Sequence, residues 1–112
     1  NTLYFMPYKI YHSAEFDKEL NKFDENFKKR VDKIEDQLNE NPYAGLPLNV
    51  RWFREKRIEN YRVYYLIYED LKVVFMVAIS GKKDQQKVIN TLRLIFDILR
   101  EEIENLVKDD FI

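Results

Sequence analysis

Apolar positions along the chain change rhythm several times. Residues 3–12 (LYFMPYKIYH) are rich in aromatic and β-branched types and put Tyr8, Ile10 and His12 on one parity, the alternation of a strand. Pro7 has no N–H to give a ladder, so pairing is expected to begin after it. From Phe16 the period lengthens: Phe16, Leu20, Phe23, Phe27, Val31, Ile34 and Leu38 recur at spacings of three and four, which predicts amphipathic helix with Ser13 as its N-cap. Unbroken, that region would span roughly 40 Å at 1.5 Å per residue. Asp24 offers a second N-cap that folds it into two antiparallel helices. The continuous phase also permits one long helix; the helical hairpin is expected.

Asn41-Pro42, Gly45 and Pro47 end the helical stretch and predict a loop. Three strands are then expected at 51–58, 61–69 and 72–80. The turns between them, at Glu59-Asn60 and Asp70-Leu71, are so short that the strands must form an antiparallel meander. Gly81 closes the third strand and a polar run follows. Val88, Leu92, Ile95, Leu99, Ile103 and Leu106 then predict one final helix over about 88–108. The expected fold class is α+β: a small antiparallel sheet of the N-terminal strand and the meander, the helical hairpin packed on it, and an additional long C-terminal helix. At 112 residues the chain has the length for a single domain, 1–112, with one modest core.

Composition narrows the chemistry. Apolar residues are 46% and charged residues 35%, a globular balance, and the longest apolar run, Val73 to Ile79, is far too short to cross a bilayer. The N-terminal stretch lacks the basic region and small-residue cleavage site of a signal peptide, so no membrane partner and a cytoplasmic address are expected. With no cysteine, disulfides and thiolate metal sites are excluded, and a single histidine argues against histidine metal clusters and Ser/His triads. No cofactor or metal is expected. Any catalysis would fall to carboxylates, Lys, Arg or Tyr.

The net charge of -1 conceals an uneven distribution: residues 51–62 (RWFREKRIENYR) hold five basic and two acidic side chains, residues 97–112 two basic and six acidic. On the first meander strand, period 2 puts Trp52, Arg54, Lys56 and Ile58 on one face and Arg51, Phe53, Glu55 and Arg57 on the other. The hairpin returns Tyr61-Arg62-Val63-Tyr64-Tyr65 alongside, where Arg62 is expected near Arg54 or Lys56. Two readings of this basic strip stand side by side. Each cation pairs with Glu55, Glu59 or Asp70 on a solvated face, or the cations form a phosphate-binding cleft with Tyr61, Tyr64 and Trp52 available to stack on bases. His12, without a second histidine, reads as structural, and Trp52 and the tyrosines read first as packing.

The order of strand, helical hairpin, Asn-Pro loop and meander, with ENPYAG at 40–45, NYRVYYLIY at 60–68 and VAISGKKDQQKVI at 77–89, resembles the RelE/ParE superfamily of toxins from toxin-antitoxin pairs over about residues 8–89. The resemblance implies a toxin that is neutralised by an antitoxin protein. In its RelE-type form it implies a metal-independent endoribonuclease that cuts mRNA, commonly on the ribosome, by attack of a ribose 2′-hydroxyl on the adjacent phosphate. Arg62 matches the arginine of the family's tyrosine-arginine pair and would hold the scissile phosphate. Arg54 and Lys56 fall on the family's basic pair, with Lys56 as general base, and Lys83 on the basic residue after the last strand. Ile89 stands where such ribonucleases carry a proton-handling tyrosine. A ParE-like toxin that inhibits DNA gyrase, or an inert binding module, is the alternative. The C-terminal helix lies beyond the resemblance and is expected to cover the sheet, to mimic an acidic antitoxin segment, or to form a homodimer.

Overall fold

The computed structural model describes residues 7–111. Along it run β1 (Lys9–His12), α1 (Ala14–Leu20), α2 (Glu25–Glu40), β2 (Leu46–Pro47), β3 (Phe53–Ile58), β4 (Tyr61–Tyr68), β5 (Val73–Gly81), α3 (Gln85–Leu94) and α4 (Phe96–Asp109). The strands form one sheet in the order β1-β5-β4-β3-β2. This is the expected α+β architecture, with two differences in the sheet. β1 pairs parallel to β5, so the sheet is mixed; the helical hairpin and the meander lie between the two strands and supply the long connection that parallel pairing needs. The expected loop also contributes a fifth strand, where Leu46 and Pro47 pair with Glu55 and Arg54. The first strand begins after Pro7, as expected, and its proposed residues 3–6 lie outside the described region.

The helical hairpin forms as the caps dictate. Ser13 Oγ accepts from the Phe16 N–H at 3.0 Å and Asp24 Oδ1 from the Phe27 N–H at 2.9 Å, so each helix has its first orphan donors satisfied locally. Phe16, Phe27, Val31, Ile34 and Leu38 are buried against Ile58, Val63, Tyr65, Val74 and Met76. On the opposite face of the sheet, Ile89, Leu92, Leu99 and Ile103 cover Phe53, Tyr64, Leu66 and Phe75. Helices on both faces explain why β5, and β4 beyond Arg62, read as apolar runs rather than as alternation. The expected single C-terminal helix is broken at Ile95, whose φ of -117° and ψ of 19° leave the helical region. Its N–H bonds to Leu92 O, a three-residue step that tightens the turn. The break lets α3 and α4 each lay an apolar stripe on the same sheet face.

The loop after α2 is clamped from below. Tyr65 Oη donates to Pro42 O at 2.7 Å and accepts from Gly45 N at 2.9 Å. Gly45 is required for closeness, not for its dihedrals: a Cβ there would lie 2.6 Å from Glu55 O and 2.6 Å from Tyr65 Oη.

Candidate functional site

The turn at Glu59-Asn60 fixes the register of the hairpin, pairing Ile58 with Tyr61, Arg57 with Arg62, Lys56 with Val63 and Arg54 with Tyr65. Directly paired residues share a face, so Arg62 stands with Arg57 and Glu55 on the α3–α4 side. Arg54 and Lys56 stand with Val63 and Tyr65 on the helical-hairpin side. The expected grouping of Arg62 with Arg54 or Lys56 is therefore corrected: the sheet lies between them.

Arg62 is only 3% exposed and Glu55 4%. Arg62 Nε lies 3.5 Å from Glu55 Oε2, and Nη1 donates to Asn60 O at 3.3 Å. Gln85, at the start of α3, donates from Nε2 to Glu55 Oε1 at 3.0 Å. A carboxylate thus sits beside the guanidinium, held there by a helix that covers it. Arg62 Nε is fully buried and makes no hydrogen bond, so the pair is Coulombic more than it is a fitted fork. Above it, the hydroxyls of Tyr64 and Ser80 are 2.8 Å apart. Burial pushes the Tyr64 phenol up; the Ser80 hydrogen bond and Arg62 pull it down and Glu55 raises it, with a net upward shift. Tyr64 is therefore a neutral phenol at pH 7 and a poor base.

The other expected residues have separate roles. Arg54 is spent on the backbone: it donates to Arg51 O at 2.8 Å, Tyr43 O at 3.0 Å and Gly45 O at 2.7 Å, and its guanidinium lies 5.0 Å from the Tyr43 ring centroid. It clamps the 43–51 loop to β3. Lys56 is half-buried and lines a groove with Arg30, Lys33 and Arg57 along the part of β3 that β2 leaves unpaired. Lys83 is exposed in the turn Lys82–Asp84. Among the described residues, neither lysine has a carboxylate within ion-pair distance. Ile89 is 6% exposed and is a core residue on the sheet-facing side of α3.

The first of the two sequence readings holds in one pair of the strip: Glu59 and Asp70 meet cations outside it, Arg30 at 3.3 Å and Arg100 at 2.7 Å, and Arg51 meets Glu69 at 3.0 Å. For Arg62 the partner is the expected Glu55, but buried rather than solvated. His12 is structural, with Nδ1 2.6 Å from Asp17 Oδ1 and Nε2 2.5 Å from Glu35 Oε2. Burial alone would lower its pKa; the hydrogen bonds and charges of Glu35 and then Asp17 outweigh that and raise it to about 9. Arg57 is the member of the Arg62 face that sequence reasoning did not single out as a site residue. The two-residue turn was the available signal, because it alone sets which parity of β3 faces Arg62. Among the described residues, no three His, Cys, Asp or Glu side chains cluster as metal ligands, and no helix is long and apolar enough to cross a membrane.

Comparison with known proteins places this geometry in context. Residues 9–86 match the family model for the ParE toxin of the type II toxin-antitoxin system parDE. The match ends in the first turn of α3, so the remainder of α3 and all of α4 lie beyond it. No curated protein sequence matches the chain. Among solved structures, a mutant of the E. coli toxin RelE in the free state is 17% identical, with a TM-score of 0.69 over 80% of this chain and 99% of that one. The RelBE2 toxin-antitoxin complex of Mycobacterium tuberculosis gives 20% identity and a TM-score of 0.60, covering 68% of this chain and 99% of that one. The archaeal RelE-RelB complex of Pyrococcus horikoshii gives 19% and 0.61, covering 68% and 96%.

Proposed function

The chain belongs to the ParE toxin family of type II toxin-antitoxin systems, and from that premise we propose that it acts in the cytoplasm by binding its target rather than by cutting RNA. The observation that supports this reading is the buried Glu55–Arg62 pair. In-line cleavage of a phosphodiester needs cations free to meet the added negative charge and a group ready to move a proton. Here the arginine is neutralised by an internal carboxylate, the neighbouring phenol has a raised pKa, and Lys56 lies across the sheet. The target class is DNA gyrase, in the manner of ParE-like toxins, and the neutralising partner is an antitoxin protein.

A second reading keeps the RelE-type reaction, with Arg62, Arg54, Lys56 and Lys83 as the phosphate-handling set on mRNA or the ribosome. What favours it is that Lys56 and Lys83 carry no ion-pair partner among the described residues. A homodimer through the C-terminal helices is a separate proposal, supported by Leu94 and Ile98, 86% and 62% exposed; light scattering at twice 13.7 kDa would bear it out. Two assays on the purified chain separate the readings of activity. Binding predicts loss of gyrase supercoiling with mRNA left intact in a translation reaction; intact supercoiling with new mRNA ends contradicts it.

A further inference from the structure

The opposite end of β4 from Arg62 carries a pocket that the toxin reading does not use. It encloses about 380 Å³, within the range of small-ligand sites. Tyr43, Trp52, Tyr68 and Phe96 form its walls. Trp52 meets Phe96 edge to face with centroids 4.8 Å apart, yet remains 40% exposed. A large ring fixed edge to face and left that open to water offers a stacking surface.

The charged groups around it are ordered in pairs. Arg51 lies 4.4 Å from the Tyr43 centroid and 3.0 Å from Glu69. Arg100 lies 5.2 Å from the Tyr68 centroid, grips Asp70 through two nitrogens at 3.1 and 2.7 Å, and gives its Nε to Glu104, outside the lining, at 2.9 Å. Each guanidinium is thus oriented by a ring and a carboxylate before any ligand arrives. Two cations and two carboxylates leave the lining close to neutral, so neither a bare anion nor a bare cation is favoured. A neutral planar heterocycle is. It can stack on the indole and on the guanidinium planes. Its rim can accept from unused guanidinium N–H groups and donate to carboxylate lone pairs that the ion pairs leave free.

We propose that this pocket is a nucleobase-binding site, filled by a free nucleoside or by a base of single-stranded nucleic acid. The site is independent of how the toxin acts on its target. Its chemistry is stacking plus edge recognition, and it needs no phosphate contact.

Trp52 is the only tryptophan in the sequence, so its indole N–H gives a single NMR signal at the pocket. The four ribonucleosides and a five-nucleotide single-stranded RNA would each be titrated into the intact chain, with phenol as an aromatic control. The proposal expects a saturable shift of that signal with a nucleoside or with the RNA, and about tenfold weaker binding for Arg51→Ala. The Arg51 side chain is 68% exposed, so the variant is expected to fold, which circular dichroism checks. Response to nucleosides identifies the free base as ligand; response to RNA alone identifies the strand. No saturable shift, equal binding of phenol, or unchanged affinity in Arg51→Ala would overturn the proposal.

Discussion

Glu55 and Arg62 sit in the core together, and each is what makes the other tolerable there. Removing one partner of a buried pair leaves an uncompensated charge, a loss of about 3–5 kcal/mol, whereas replacing both with apolar groups is often close to neutral. Glu55→Ala is accordingly expected to lower stability to urea by that order, and the double variant Glu55→Leu with Arg62→Met to recover most of it. Equal losses in the single and double variants would contradict the pairing. His12 makes a second residue-scale prediction. Its folded pKa of about 9 lies above the ordinary 6.5, so its contribution is complete below about pH 6.5 and is lost as pH rises through 9. The shift corresponds to about 3 kcal/mol at 1.36 kcal/mol per unit. Asp17 is 59% exposed, which discounts this to about 2 kcal/mol. As the chain has one histidine, its ring proton signals should titrate alone near pH 9, and His12→Ala should flatten the stability profile between pH 6.5 and 9.

At the scale of elements, the parts written in local chemistry were legible. Ser13 and Asp24 are cap residues at the right phase, and both helices start on them. Asp24→Ala should cost about 1 kcal/mol in thermal or urea unfolding. Elements fixed by distant contacts were not legible. β2 is a strand only because Tyr65 and Arg54 hold the loop against β3, and no run of two residues announces that. The break at Ile95 carries no Gly or Pro; it answers to the sheet surface under it. Gly45 is the point where loop and sheet touch, so Gly45→Ala should destabilise by about 2–3 kcal/mol through overpacking and detach β2. A crystal structure or amide exchange at Leu48, whose N–H bonds to Phe53 O, would register the detachment.

For the molecule as a whole, the order of elements along the chain was enough to reach the family, but the state of its site depends on three-dimensional pairing. The basic strip at 51–62 is real in sequence, and the sheet divides it: Arg54 goes to a loop, Lys56 to a groove on one face, and Arg62 beneath α3 on the other. Period 2 was read correctly within β3; the pairing parity across Glu59-Asn60 decided which half faced Arg62. Helices on both faces leave the arginine enclosed with its own carboxylate, and that enclosure underlies the proposal of a toxin that binds and does not cut. The most direct test is primer extension on an mRNA being translated in the presence of the purified chain. The account predicts no new 5′ ends above background; ends that appear with the chain and vanish with Arg62→Ala would contradict it.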